Sequence, residues 1–427
     1  MYKETTLKNK LKILSYKIDS SFTTNIGIFI KAGTKNEINE NYGCAHFLEH
    51  MLFKGTKRRS AKDIAEIIDG IGGVINAYTT HEFTAFYTKT LKEEAATALD
   101  VLYDMLFHSL FDTEEIEKEK KVIIEEINMY EDDPNSFIQE EFSKNIFKNN
   151  ELGYSILGDK KLIKKIKKEI LLKYHSTHYR PENMIIAVTG NFDEKLIDLI
   201  KKLFSFEVEP QQEYLLEIKG ELSNNFGVKV FERENINQIY FAIGMEGLGK
   251  INPDYNKLVL LNNILGGSSS SHLFQEIREK RSLCYDIGSF NTAYRNTGEL
   301  LISGGANMEN FELALEGIFE IIDNISKKGI SLNEFNRTKK QIKSQTVMSF
   351  ENPQNIMFKM ATDYLYNNSF KGIENMVSLI DKIGYKDLTE FIKIYFKKEK
   401  LSACFLGPKG TKKILKKWEE LNGQVEG

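Results

Sequence analysis

His46-Phe47-Leu48-Glu49-His50 lies within a mostly apolar stretch of the chain, from position 44 to position 53. The apolar residues around it predict a helix that begins near Ala45. On a helix, His46 and His50 stand one turn apart on the same face, and Glu49 falls near their arc. Neutral imidazole is a good ligand for Zn²⁺, and a carboxylate beside two such ligands can act on water without binding the metal itself. The alternative is a pair of ordinary helix histidines beside a surface glutamate.

A catalytic zinc site needs a third protein ligand, and the acidic stretch 114–130 is the place to look for it. Its apolar residues recur at helical spacing, at Ile116, Ile123, Ile127 and Tyr130. Glu125 lies about 180° from the start of this stripe and faces solvent, whereas Glu119 and Glu126 lie about 60° and about 80° from it. Glu119 and Glu126 are therefore the candidates, although either can also be an ordinary capped or ion-paired surface glutamate.

Composition excludes several other classes of protein. The 427 residues allow two or more domains, and 41% apolar with 28% charged residues is ordinary for a globular chain. A net charge of −3, with only eight arginines among the basic residues, disfavours nucleic acid and anionic membranes as partners. No apolar run reaches the ~18–20 residues of a membrane span, and the first residues lack the apolar core of a signal peptide. Three widely spaced cysteines indicate a reducing compartment, so we expect a cytoplasmic protein.

The second half of the chain repeats the order of elements of the first half. Residues 239–244 correspond to residues 28–33, and a helix at 311–315 corresponds to one at 95–99. We therefore predict an α+β fold of two homologous domains, each a largely antiparallel sheet with helices packed on one face, which together enclose a cleft. The second half has no counterpart of the two histidines, so it holds no metal site. The predicted boundaries are 1–208 for the metal-binding domain, 209–226 for a linker and 227–427 for the second domain.

The segment 43–56, which contains the two histidines and the glutamate, resembles the core motif of the pitrilysin/insulinase family of zinc metallopeptidases. It resembles in particular the branch of mitochondrial processing peptidase, and the inverted order of the motif is itself typical of metallopeptidases. In that family the third ligand is a glutamate seven residues after another glutamate on a downstream helix. Glu126 and Glu119 match this pair, and Glu126 follows His50 by 76 positions.

Further matches extend over nearly the whole chain, at residues 72–79, 179–184, 265–267 and 273–285. The first of these resembles the strand that pairs with substrate, so the resemblance implies that Asn76 and Ala77 present backbone groups to a peptide. In the last, an arginine and a tyrosine seven apart, here Arg278 and Tyr285, imply substrate contacts. The sequence departs from the family pattern in small ways, with cysteines at 44 and 284 and His81 where arginine is frequent.

The resemblance implies a zinc-dependent endopeptidase that cleaves unfolded peptides bound as an added strand. One Zn²⁺ per chain would be held by His46, His50 and Glu126. Glu49 would be the general base, and Glu119 would orient a ligand or stabilise charge near the metal. The resemblance also implies a homodimer, with a heterodimer as the alternative.

Two other functions stand beside this one. The chain can be a zinc-containing but catalytically silent peptide-binding or partner subunit of a processing peptidase complex. It can also be a non-peptidase zinc enzyme that uses the inverted motif, such as S-ribosylhomocysteine lyase. The length of the chain and its duplicated organisation argue against the lyase.

Overall fold

Two β-sheets organise the part of the chain that the computed structural model describes, residues 2–37, 41–207 and 227–423. The strands are β1 Tyr2–Thr6, β2 Lys12–Lys17, β3 Thr23–Ile30, β4 Val74–Thr79, β5 Thr84–Leu91, β6 Met184–Gly190, β7 Val228–Glu232, β8 Gln238–Leu248, β9 Asp286–Ala293, β10 Thr297–Asn307 and β11 Ser402–Gly407. The helices are α1 Cys44–Leu52, α2 Ala61–Gly70, α3 Ala95–His108, α4 Thr113–Asp132, α5 Pro134–Ile146, α6 Lys160–Ile163, α7 Lys168–His178, α8 Glu194–Phe204, α9 Tyr255–Leu265, α10 Phe311–Lys328, α11 Leu332–Ser349, α12 Pro353–Asn367, α13 Gly372–Asp381, α14 Tyr385–Tyr395 and α15 Ile414–Asn422.

The two sheets share one topology. The first has the order β1-β2-β6-β3-β5-β4, and the second has the order β7-β11-β8-β10-β9. Each contains one parallel pair, β2 with β6 and β7 with β11, and its other pairs are antiparallel. Apart from the additional strand β1, the second sheet repeats the first strand for strand. The predicted α+β fold of two largely antiparallel sheets is therefore confirmed, and the repeat indicates a duplicated unit.

The first sheet carries helices on both faces, because its central strands are apolar on both sides. All seven residues of β6 are buried. On one face Ile26, Ile28 and Ile30 of β3 pack with the apolar residues of α1, α3 and α8. On the opposite face Phe29 packs with Met357 and other apolar residues of α12. The prediction of helices on one face described only the first of these layers.

The second sheet is covered in the same way. Ile239, Phe241 and Ile243 of β8 face a core formed with α9, α10, α14 and α15. The opposite face receives α5, whose Phe142 reaches the backbone of Gly244.

The compact units of the structure consequently differ from the predicted contiguous domains 1–208 and 227–427. The first unit comprises the described residues within 1–129, 154–219 and 348–372, and the second comprises those within 130–153, 220–347 and 373–427. The difference arises because α12 belongs by its contacts to the first sheet and α5 to the second. The predicted linker 209–226 lies outside the described residues.

Most of the elements that the sequence predicts in the first half are present at the expected positions. These are the strand β3, the helices α1 and α2, the hairpin of β4 and β5, the helices α3 to α5, and the strand β6. Within the described ranges, no helix combines the length and the apolar character that crossing a membrane requires.

Candidate active site

Helix α1 presents His46, Glu49 and His50 on one face, and its apolar residues are buried in the hydrophobic core. Phe47, Leu48 and other apolar residues of α1 are almost completely inaccessible to solvent. This pattern follows from the helical period, because positions 46, 49 and 50 are separated by three and four residues and share a side. His46 and Glu49 are themselves buried, with 7% and 9% of their surfaces exposed. The imidazole rings of His46 and His50 lie 4.5 Å apart between centroids.

Helix α4 brings Glu126 to this face of α1. One carboxylate oxygen of Glu126, Oε2, lies 3.8 Å from Nε2 of His46 and 3.7 Å from Nε2 of His50. The three donor atoms lie within 4.8 Å of one another, and among the described residues this is the one group of His, Cys, Asp and Glu arranged to hold a metal. The neighbouring Glu125, which the sequence places opposite the apolar face of α4, is exposed. It accepts a hydrogen bond from Asn128 of the same helix.

Glu119 is buried two turns before Glu126 and joins His50 to Lys54. Its Oε1 lies 2.8 Å from Nδ1 of His50, and its Oε2 lies 2.6 Å from Nζ of Lys54. Burial raises the pKa of Glu119, but the hydrogen bonds from His50 and Lys54 outweigh it and hold the pKa below its ordinary value. An ionised Glu119 accepts a hydrogen bond from Nδ1–H of His50, so the proton of the neutral imidazole is on Nδ1 and Nε2 is unprotonated on the side of Glu126.

His46 is held in its neutral form. Burial, and after it the charge of the neighbouring His50, lower the pKa of His46 to about 3 against the opposing effect of Glu119. Nδ1 of His46 is buried and has no hydrogen-bond partner among the described residues. Its Nε2 lies 3.8 Å from Glu126, which is beyond hydrogen-bond distance. The neutral imidazole can therefore present the lone pair of Nε2 on the side of Glu126, as a metal ligand requires.

Glu49 connects the histidine face to the edge of the first sheet. The hydroxyl of Thr79, at the end of β4, donates a hydrogen bond of 2.5 Å to Oε2 of Glu49. Burial raises the pKa of Glu49, the bond from Thr79 and the charge of His50 lower it, and the net result is a raised pKa. A carboxylate whose pKa is raised is a stronger base than an ordinary surface glutamate.

Strand β4 is the outermost strand of the first sheet, so one of its edges has no paired strand within the described chain. Asn76 and Ala77 lie on this strand, three and two residues before Thr79. Oδ1 of Asn76 accepts a hydrogen bond from the backbone N–H of Ala77. The structure therefore joins the predicted peptide-binding residues to Glu49 through a single strand.

Arg278 and Tyr285 belong to the second unit, where they contact each other. Arg278 lies on a π-helical turn, Phe274–Lys280, and its guanidinium stands 5.7 Å from the centre of the Tyr285 ring. The same guanidinium stands 4.6 Å from the ring of Phe274. Tyr285 immediately precedes β9 and is 86% exposed, so its phenol is free to meet a ligand.

The remaining histidines of the first unit serve other contacts. Nδ1 of His81 lies 2.7 Å from the hydroxyl of Thr34, and Nε2 of His175 lies 2.7 Å from the carbonyl oxygen of Leu106. Both histidines thus have partners within the first unit.

Two family models match successive parts of the chain. Residues 12–160 match the model described as insulinase (peptidase family M16), and residues 165–342 match the one described as the peptidase M16 inactive domain. An uncharacterized zinc protease of Bacillus subtilis, YmxG, is 34% identical over 96% of this chain and 99% of its own length. The chain belongs to peptidase family M16. An uncharacterized zinc protease of Rickettsia felis is also 34% identical, over 90% of this chain and 92% of its own length.

Solved structures show the M16 fold over almost the whole chain. A protease from Helicobacter pylori superposes with a TM-score of 0.89 at 23% identity, covering 96% of this chain and 99% of that one. A peptidase M16 inactive domain from Pseudomonas fluorescens superposes with a TM-score of 0.84 at 18% identity, covering 96% and 98%. The metallopeptidase family that the motifs indicated is thus confirmed.

Two residues of this candidate site were not singled out from the sequence, Lys54 and Thr79. Lys54 lies four residues after His50 and two residues past the end of α1, so a helical projection of the sequence would place it on the same side as that ligand candidate. Thr79 ends a predicted strand, and its proximity to Glu49 depends on how β4 packs against α1. Lys54 could have been found as a basic residue four positions after the last residue of the motif. No local sequence pattern pointed to Thr79.

Proposed function

We propose that this chain is a zinc-dependent endopeptidase that cleaves unfolded peptides or peptide segments. The observation that carries the proposal is the convergence of His46, His50 and Glu126 beside Glu49, which itself is bonded to the edge strand β4. Two imidazoles and one carboxylate form the ligand set of many catalytic zinc sites, which leave one position open. A structural zinc site would normally have four protein ligands.

The donor atoms fit Zn²⁺. Ligands about 2.0–2.1 Å from one tetrahedral ion lie about 3.3 Å apart, and Glu126 Oε2 stands 3.7 and 3.8 Å from the two Nε2 atoms. Nε2 of His46 has no hydrogen-bond partner within reach in the described chain, and an ion bound at this atom would compensate for that deficit. The neutral state of His46 also suits metal binding.

A bound Zn²⁺ supplies Lewis acidity, which makes water more acidic and polarises a carbonyl group. Glu49 accepts the proton of the attacking water on its carboxylate and delivers it to the leaving amine. Thr79 occupies Oε2 of Glu49, so Oε1 is the oxygen that takes the proton. Glu119 holds His50 in the tautomer with Nε2 unprotonated, and Lys54 holds Glu119 ionised.

We propose that the substrate adds to β4 as an extended strand, with Asn76 and Ala77 offering backbone hydrogen bonds. This mode recognises the backbone and tolerates many side chains. Arg278 and Tyr285 are proposed to bind the substrate as well, the arginine through carbonyl or carboxylate oxygens and the tyrosine by donating its phenol to the developing oxyanion. The exposure of Tyr285 and its contact with Arg278 support this role.

The test is a peptide-library digest of the full chain, wild type against Glu49→Gln, with zinc content measured on the same samples. We expect about one zinc per chain in both proteins, cleavage by the wild type, and at least ~100-fold slower cleavage by the variant, because it lacks a general base. Glu82→Gln is a matched control, since Glu82 is a buried carboxylate of the same unit, on the β4–β5 turn and ion-paired with Lys35.

Each outcome separates the candidate functions. Zinc in both proteins with no cleavage by either one supports the silent partner subunit and contradicts the peptidase. Cleavage that survives both Glu49→Gln and removal of the metal contradicts the mechanism.

We further propose that the chain forms a homodimer in the cytoplasm. The compartment is supported by three buried cysteines, all unpaired. Light scattering of the purified chain measures the oligomeric state, and a stable monomer or a requirement for a different chain contradicts the homodimer.

A further inference from the structure

The N-terminus of α1 has no capping side chain of its own. Its N-cap is Gly43, whose backbone is left-handed with φ of 93°. A Cβ at this position would meet Cδ1 of Ile163 at 2.6 Å and Cα of Gly158 at 2.9 Å. Both the backbone conformation and the crowding therefore exclude the serine, threonine or aspartate that normally caps a helix. The first N–H groups of the helix need another acceptor, because they have no partner inside it.

Glu37 supplies that acceptor from six residues upstream. Its Oε2 accepts a hydrogen bond of 2.9 Å from the backbone N–H of Gly43, and its Oε1 accepts one of 2.6 Å from that of Ala45. The side chain is buried, and no described basic side chain forms an ion pair with it. Burial raises the pKa of Glu37 to about 8, against the opposing effect of the backbone N–H groups of residues 43–45. Ionisation of a buried carboxyl group is costly, and the N–H groups of the helix end offset only part of that cost.

The hydrogen bonds from Gly43 and Ala45 to Glu37 restrain the orientation of α1 in a way that its apolar contacts cannot. The core residues of the helix, such as Phe47 and Leu48, hold it against the sheet through contacts that have no preferred direction. Hydrogen bonds at the helix end are directional and oppose sliding along the axis and rotation about it. Ala45 directly precedes His46 and lies four residues before Glu49, so the anchored turn is the one that carries the first ligand candidate.

We propose that Glu37 is a positioning residue of the metal site, which sets the axial position and rotation of α1 and so aligns His46, Glu49 and His50 with Glu126. This role rests on the proposed zinc peptidase function, because it concerns the alignment of that same site. Glu37 does not touch the substrate or the metal. Its effect is transmitted through the backbone of residues 43–45.

The experiment compares Glu37→Gln with the wild type in the full chain. Glutamine keeps the size of the side chain, but its amide oxygen accepts only one of the two bonds, and its NH₂ group then faces the other N–H. We expect an affinity for zinc, measured by competition with a chromophoric chelator, that is about tenfold weaker. We also expect kcat on a quenched peptide to fall by about tenfold or more, with KM within about twofold, because the edge strand β4 is unchanged.

The matched control is Asp193→Ala, which removes the side-chain cap of α8, a helix of the same unit without site residues. It is expected to lower the melting temperature while leaving zinc affinity and kcat unchanged. If Glu37→Gln does not fold, Glu37→Asp takes its place, since it keeps the carboxyl group and shortens the reach by one methylene. A folded variant with wild-type zinc affinity and kcat overturns the proposal. Failure of both variants to fold assigns Glu37 to the stability of the unit and also overturns it.

The outcome for the wild type separates this proposal from the function on which it rests. A wild-type chain that binds no zinc, or cleaves no peptide while loaded with zinc, contradicts the peptidase. If the wild-type chain binds zinc and cleaves peptide, and Glu37→Gln has the same zinc affinity and kcat, only the role of Glu37 is contradicted.

Discussion

Replacement of Glu119 by glutamine tests the link between His50 and Lys54. In the wild type both oxygens of Glu119 are engaged, at 2.8 Å from His50 Nδ1 and 2.6 Å from Lys54 Nζ. Glutamine has one acceptor oxygen, so one of these two donors must then face the NH₂ group. The variant also loses the negative charge that balances Lys54 close to the proposed cation.

The size of the effect follows from these contacts. Loss of a carboxylate that orients a histidine ligand typically weakens metal binding by about 10–100-fold, or about 1.4–2.7 kcal/mol. Nε2 of His50 keeps its lone pair in the variant, so binding is weakened and not abolished. We expect a value in the upper half of that range, because the uncompensated ammonium of Lys54 is only 30% exposed and solvent screens it incompletely.

The assay is a competition between the metal-free protein and a chromophoric chelator for zinc. Glu115→Gln is the control, because Glu115 lies on the same helix and forms a solvent-exposed ion pair with Lys118. The double variant Glu119→Gln with Lys54→Met should recover part of the lost affinity, since it removes the unbalanced charge. A Glu119→Gln affinity within twofold of the wild type would refute the reasoning that the Glu119–His50 bond prepares the ligand.

Three further predictions concern single residues. Glu126→Gln should weaken zinc binding by at least ~100-fold in the same competition assay, whereas Glu125→Gln should leave it unchanged, and equal effects would contradict the choice of ligand. Leu48→Ala, at a fully buried position, should lower the free energy of unfolding by about 2–5 kcal/mol in chemical denaturation, and a loss below about 1 kcal/mol would show that the core around α1 relaxes. Burial raises the pKa of Glu299 to about 7 against the hydrogen bond from Ser143, so its contribution to stability is full below about pH 4.5 and is lost as the pH rises through 7. The stability of Glu299→Gln relative to the wild type should therefore increase between pH 5 and 8, and a constant difference would contradict this.

The structure brings together the residues that the sequence proposed as metal ligands, because each choice rested on helical spacing. His46, Glu49 and His50 share a face of α1 for that reason alone. The apolar stripe of α4 separated Glu126 from Glu125, and the structure has Glu125 bonded to its own helix. Spacing left Glu119 and Glu126 equivalent, and the family resemblance assigned them different roles.

The contacts that spacing could not predict join residues far apart in the chain. Glu49 and Thr79 are 30 positions apart, and His50 and Glu119 are 69 apart. Such distances depend on how a strand or a second helix packs against α1, and no local pattern encodes that. The cap from Glu37 is nearer in sequence, but it replaces a side chain that Gly43 lacks, so the usual capping signature is absent.

For a related reason, the sequence did not predict that α5 packs in the second unit and α12 in the first. An apolar strand such as β6 shows that both faces of its sheet need a cover. It does not show which helix provides that cover. The simplest expectation was that each domain is a contiguous stretch of the chain. The packing of Met357, in α12, against the sheet of the first half shows that the first unit also includes a segment from the second half.

The central claim is that one Zn²⁺, held by His46, His50 and Glu126, is needed for peptide hydrolysis. The most direct test is to strip the metal from the full chain, return zinc in steps, and measure cleavage of an internally quenched peptide at each step. The rate should start near zero, rise in proportion to bound zinc and level off at one equivalent per chain. Full cleavage by the metal-free chain, or no cleavage at one bound equivalent, would contradict the claim.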